Sequence, residues 1–158
     1  MKPTPSGWPR VVPGVYYQDP RAAIDWLCSA FGFEVRLLVE GEGGRVEHSE
    51  LNFGKDGLIM VGAAGTSGGP KDTWRRYQAS PRDLGGKGTQ SLALFVDDAD
   101  AHCARARAAG AQIFMEPTTN DYGDDYWSDR TYGALDPEGH LWWFMQRLRN
   151  PRGEQGSA

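Results

Sequence analysis

Apolar and polar positions run through one cycle of elements and then repeat it. Residues 11–18 are rich in β-branched and aromatic side chains, which predicts a strand. Asp19 and Pro20 follow as an N-cap and a first-turn proline. Ala23, Ile24, Leu27, Cys28 and Phe31 then share one face of a helix, and Gly32 stands where helices commonly end. Three strand-like runs come next, at 34–39, 45–53 and 58–63, separated by glycine-bearing turns at 41–44 and 54–57. The second cycle opens with a strand at 91–96, and Asp97 or Asp98 caps a helix over 101–109 closed by Gly110. Strands at 112–116, 131–135 and 140–146 complete it, the last pair joined by a turn at 136–139. Each half therefore predicts the order β-α-β-β-β.

Three segments fall outside this plan. Residues 1–10 form an N-terminal extension, and 148–158 form a tail, nearly devoid of apolar residues beyond Asn150, whose end is expected to fray. Residues 64–89, with Trp74, Arg75, Arg76 and Tyr77 inside, read as a flexible connection, with a lid or a dimer contact as the functional alternatives. Composition narrows the partners. The chain is 39% apolar and 24% charged, enough to bury a core. A net charge of −4, from 17 basic and 21 acidic residues, lacks the basic footprint of a nucleic-acid binder. No apolar run approaches the roughly 18–20 residues needed to span a bilayer, and the amino terminus does not read as a secretory signal. The expectation is a soluble, cytoplasmic protein with no nucleic-acid or membrane partner. Cys28 and Cys103 are too few for a disulfide framework and read as small apolar residues on helices. Six tryptophans exceed what a small core needs, which leaves some to line a cavity.

Residues 19–27 (DPRAAIDWL) and 31–34 (FGFE), then 96–101 (VDDADA), 109–111 (AGA) and 136–140 (DPEGH), carry a resemblance in their order and spacing. They resemble the glyoxalase/bleomycin-resistance/dioxygenase, or vicinal oxygen chelate, superfamily over residues 11–147. The resemblance implies an α+β fold of two βαβββ modules, 11–63 and 90–147, forming a mixed, curved sheet around a cleft. It implies one glyoxalase-like domain over 11–147, commonly assembled as a homodimer. It leaves the activity open, because the superfamily holds metal-dependent lyases, isomerases and dioxygenases beside metal-free drug-sequestering proteins.

In metal-dependent members, the first-strand ligand lies seven residues before the capping Asp and the last-strand ligand four after the turn glycine. Carried over, those positions are Val12, Val61, Ser91 and Trp143, and a one-residue slip adds only Gln90. None of the four is an imidazole or carboxylate, so no metal and no other cofactor is expected. His48, His102 and His140 offer no replacement set. Strand alternation from these positions places Gly14 and Tyr16, Ala93 and Phe95, and Leu141, Trp143 and Met145 toward the cleft, with Leu92, Leu94 and Val96 toward the helix. The lining suits a flat or apolar small-molecule ligand, although Phe95 and Trp143 are equally readable as core. His48, Glu50 and Asn52 share a strand face, so His48 and Glu50 are an acid–base couple, a polar ligand anchor or a structural pair. Residues 120–130, acidic and aromatic through Tyr126 and Trp127, form either a rim that attracts cationic or stacking ligands or a solvated loop, with Asp129–Arg130 a local salt bridge. The leading expectation is metal-free small-molecule binding at Tyr16, His48, Glu50, Phe95, Tyr126, Trp127 and Trp143. The alternatives are a lyase, isomerase or dioxygenase, using His48 and Glu50 or a metal at an unrecognised site, and an interaction module that has lost its ligand site.

Overall fold

A computed structural model describes residues 1–65 and 73–153. The first cycle folds as β1 (Gly14–Tyr17), α1 (Pro20–Phe31), β2 (Glu34–Glu40), β3 (Val46–Phe53) and β4 (Gly57–Ala63). The second folds as β5 (Ser91–Phe95), α2 (Ala99–Ala108), β6 (Gln112–Asp121), β7 (Ser128–Leu135) and β8 (Leu141–Arg149). Each cycle makes a four-stranded mixed sheet, in the orders β1-β4-β3-β2 and β5-β8-β7-β6, and neither sheet is closed. The first and last strands of each cycle run parallel and the other pairs antiparallel. The fold is α+β, and the chain divides into two compact units, Met1–Gly86 and Lys87–Ala158.

In the first unit the Asp19 carboxylate accepts from the Ala22 N–H at 3.0 Å, and Gly32 ends α1 in the left-handed region at φ 80°. The stripe of α1 packs on one face of the sheet. Val15, Tyr17, Ile24, Leu27, Phe31, Leu51 and Val61 are all buried there. Strand β1 is shorter than its apolar run. Pro13 has no N–H to give the ladder, although its carbonyl still accepts from Met60 N at 2.9 Å. Residues 73–86 fold onto this unit as two short 3-10 turns, Arg75–Tyr77 and Pro81–Leu84. Buried Ser80 caps the second turn, and Gln18 donates to Asp83 at 2.5 Å. The stretch 66–72 of the predicted connection, and 154–158 of the predicted fraying tail, lie outside the described residues.

In the second unit Asp98 is the cap, accepting from Ala101 N at 2.9 Å. The core on the α2 side is Ala99, Ala106, Tyr132, Ala134, Trp142 and Phe144. Tyr132 stacks on Phe144 with centroids 5.0 Å apart, and its hydroxyl lies 2.6 Å from His102 Nδ1. Burial pushes that hydroxyl well above the usual tyrosine range. The turn at 136–139 is built on one carboxylate. Asp136 Oδ1 accepts from the N–H groups of Glu138, Gly139 and His140, and Oδ2 accepts from Trp142 Nε1 at 3.0 Å.

Two expectations for this unit are corrected. Strand β6 continues past residue 116 to Asp121, because Asn120 and Asp121 pair with Asp129 and Ser128 across a hairpin whose tip is 122–127. Pro117 lies within this strand, and the ladder absorbs it through register shifts between Ile113 and Thr118. Asp129 and Arg130 do not pair with each other. Strand alternation sends them to opposite faces, Asp129 to Arg147 Nε at 2.5 Å and Arg130 to Asp100 at 2.5 and 2.7 Å.

Candidate functional site

Each sheet has one face under its helix and one open face, and the open faces hold the chemistry. In the second unit, residues paired across the ladder point the same way. Ala93 sits beside Trp143, Phe95 beside Met145, Gly133 beside Trp143 and Asp129 beside Arg147. Phe95 is 55% exposed and Phe114 40% exposed. The Phe114 ring meets Trp143 edge-on, with centroids 5.1 Å apart at 87°. Gly133 makes this possible, because a Cβ there would fall 2.2 Å from Phe114 Cζ. The tryptophan that fills the core is Trp142, while its neighbour Trp143 is half-buried on the other side of the strand.

A cation sits within this aromatic face. The Arg147 guanidinium lies 5.2 Å from the Phe95 ring centre and 5.7 Å from that of Trp127. The Asp129 carboxylate, with its side chain only 7% exposed, fixes it through Nε. Tyr122 and Tyr126 lie against Trp127 at the hairpin tip, with ring centres 5.4 and 6.2 Å away. Arg149 pins the tip, donating to the Asp121 carboxylate and to the carbonyls of Gly123 and Tyr126. The Gly123 N–H, together with Arg149, holds the Asp121 carboxyl below its usual range. Phe95, Tyr126, Trp127 and Trp143 were visible in the sequence as candidates. Phe114 and Arg147 were not. Phe114 lies in the strand with irregular register, where alternation is an unreliable guide, and the role of Arg147 depends on a partner 18 residues away.

In the first unit the open face holds Tyr16, His48 and Glu50. His48 Nε2 lies 2.9 Å from Glu50 Oε1, and Arg36 Nε lies 3.2 Å from Glu50 Oε2. Arg36 is held in turn by the Gly7 carbonyl at 2.6 Å and by the Trp8 ring, whose centre is 4.8 Å from the guanidinium carbon. Arg36 and Trp8 escaped the sequence reading, since Arg36 reaches this face only through the register shift between Val35 and Leu37. Tyr16 lies over Gly62, where a Cβ would come within 3.0 Å of its ring.

The positions carried over for metal ligands divide between the faces. Ser91 and Trp143 are on the open face, but Val61 pairs with Val15 and is buried on the α1 side. The open-face positions flanking it in β4 are Met60 and Gly62. None of these residues has a side chain that holds a divalent ion of this type, and no three His, Cys, Asp or Glu are grouped for one among the described residues. The residues present do not fit a metal centre at these positions.

The fold matches known proteins. The family model of the glyoxalase/bleomycin resistance protein/dioxygenase superfamily matches residues 10–144. The chain belongs to that superfamily. Among solved structures, TioX from Micromonospora sp. ML1 is 31% identical, with a TM-score of 0.61 over 87% of this chain and 97% of TioX. TnmS3, an antibiotic binding protein from Streptomyces sp. CB03234, is 22% identical, with a TM-score of 0.55 over 85% of this chain and 91% of TnmS3. An uncharacterised protein of Mycobacterium bovis is 28% identical over 141 residues, which is 89% of this chain and 85% of the relative. These likenesses fix the fold of this glyoxalase-superfamily chain; its chemistry rests on the two faces. No helix among the described residues is long and apolar enough to cross a membrane.

Proposed function

We propose that this glyoxalase-superfamily protein binds a planar, largely apolar small molecule without a metal ion, on the open face of its second unit. The observation that supports this most strongly is the cluster of exposed Phe95, Phe114 and Trp127 with half-buried Trp143 around the fixed Arg147 guanidinium. Rings of this kind stack on flat ligands, and a cation held against them favours electron-rich or anionic ring systems. Tyr126 and Trp127 form the rim at the hairpin tip. That TnmS3 is an antibiotic binding protein supports a drug-like ligand for this chain as well.

Exposed aromatic area of this kind is seldom left in water, which supports a homodimer as the working state. We place the protein in the cytoplasm. The test is a thermal-shift screen of planar aromatic compounds, antibiotics among them. A ligand that binds only the folded state raises the melting temperature in proportion to its affinity. Stabilisation by at least one polycyclic compound, lost in Phe95→Ala and Trp143→Ala, is expected. Equal stabilisation of the parent by zinc, nickel, iron or manganese ions would refute the metal-free part of the reading.

A further inference from the structure

We propose that the open face of the first unit is an acid–base site for phenols and similar weakly acidic hydroxyl compounds, with His48 Nδ1 as the proton acceptor. This inference does not rest on the binding proposed for the aromatic face of the second unit.

The site is built on Glu50. Its side chain is 7% exposed, and burying a carboxylate is costly unless it is paired and hydrogen-bonded. Arg36 supplies the pairing at 3.2 Å, and Gly7 and Trp8 hold Arg36 from the outer side. Glu50 is thus a fixed carboxylate, and a carboxylate can only accept hydrogen bonds. The ring nitrogen facing it at 2.9 Å, Nε2 of His48, must therefore be the one that holds the proton. In the neutral ring this leaves the lone pair on Nδ1. The imidazole is 40% exposed, so Nδ1 is within reach of a ligand. Fixing the tautomer of a base through a buried carboxylate is the arrangement by which a histidine is made to take a proton at one chosen nitrogen.

The surroundings select the ligand. Val39 pairs with His48 and Leu37 with Glu50, and both are more than 40% exposed on this face. On the other side the Leu51–Ile59 register, continued by the Ser49 hydroxyl bridging Val61 N and O, sets His48 opposite Gly62. Over that glycine lies the Tyr16 ring, itself edge-on to Trp74 at 6.2 Å. An imidazole between an aromatic ring and an aliphatic shelf fits a ring bearing a hydroxyl. In the step itself the O–H bond of the phenol breaks and an Nδ1–H bond forms. The products are a phenolate and an imidazolium that keeps its Nε2–H on Glu50. No oxidant, reductant or second substrate enters.

The test uses the full chain with 4-nitrophenol, whose phenolate is read by absorbance, at a pH where the free probe is mostly un-ionised. The ligand-free protein should show the Nε2–H tautomer of His48 in nitrogen-15 spectra. Adding the probe should shift the His48 Nδ1 resonance and raise the phenolate band. Nitrobenzene, which lacks the hydroxyl, should bind about tenfold or more weakly. His48→Gln should lose about tenfold in affinity together with the band. Glu50→Gln should give mixed tautomers while Glu50 stays a positioning residue, not a contact; if that variant does not fold, the parent spectrum and His48→Gln still decide. An Nδ1–H tautomer in the free parent, or a His48→Gln variant that binds the probe within twofold of the parent, overturns the proposal.

Discussion

Replacing Gly133 by alanine tests the construction of the aromatic face with a single methyl group. The new Cβ would lie 2.2 Å from Phe114 Cζ, 2.5 Å from Cε2 and 2.9 Å from Cε1. Carbon atoms in contact stand about 3.5–4.0 Å apart, so the ring must retreat by more than about 1 Å. Phe114 is 40% exposed and can swing outward, which breaks its edge-on contact with Trp143. Losing such an aromatic pair costs about 0.5–1.5 kcal/mol, and forcing a packed ring aside costs about 1–3 kcal/mol. Alanine recovers about 0.5–1 kcal/mol of backbone entropy relative to glycine. The net expectation is a destabilisation of about 1–3 kcal/mol, read by denaturant unfolding, with a change in tryptophan emission as Trp143 loses its neighbour. In a Phe114→Ala background the same substitution should cost nothing or stabilise slightly, giving a double-mutant coupling of about 1–3 kcal/mol. A Gly133→Ala protein within about 0.5 kcal/mol of the parent, or a cycle with no coupling, would refute this account of why the strand has a glycine there.

Trp142→Ala should cost about 3–5 kcal/mol by calorimetry or denaturant unfolding, because it removes a fully buried ring and the indole donor to Asp136. Asp136→Ala should cost about as much, since it strips the acceptor from three turn N–H groups and one indole at once; a loss under about 1 kcal/mol would show that the turn holds without it. Asp121 predicts a pH effect confined to the hairpin tip. Its carboxyl is depressed by the Gly123 N–H and by Arg149, so its contribution is complete above the ordinary carboxyl range and is lost as pH falls through the depressed folded value. Protection of the Tyr126 N–H, which bonds Gly123 O, against hydrogen exchange should fall in acid, relative to its intrinsic rate, ahead of that of the α2 core, and equal behaviour of tip and core down to about pH 2 would contradict it.

Much of the fold was legible because the signals were local. Asp19-Pro20, the Ala23–Phe31 stripe and Gly32 each act within one helix, and the same residues do in the structure what their chemistry implies. Boundaries failed where the decisive interaction was distant. The pairing of Asn120 and Asp121 with the strand across the hairpin overrode the acidic run that also read as a solvated loop. On the open faces, alternation placed Phe95 and Trp143 correctly relative to the helix but misplaced Val61. Counting from a turn glycine cannot reveal which face a strand has turned by the time it pairs with β1. Arg36 was hidden for a related reason. A bulge of one residue moves a side chain to the other face, and nothing in the local sequence marks it. His48 and Glu50 were legible as neighbours on one face, whereas the role of Glu50 as a held carboxylate needed the partners from β2 and the N-terminal segment.

We propose the open face of the second unit as a binding surface and not as a piece of core left partly exposed. It is tested most directly by isothermal calorimetry of the best-stabilising planar compound against the parent and Trp143→Ala, with unfolding free energies measured on both proteins. The account predicts a loss of affinity of about tenfold or more in Trp143→Ala, corresponding to about 1.4 kcal/mol or more, with stability lowered by no more than about 2 kcal/mol. A Trp143→Ala protein that binds as the parent does while losing about 3–5 kcal/mol of stability would show that Trp143 is core, and would contradict the account.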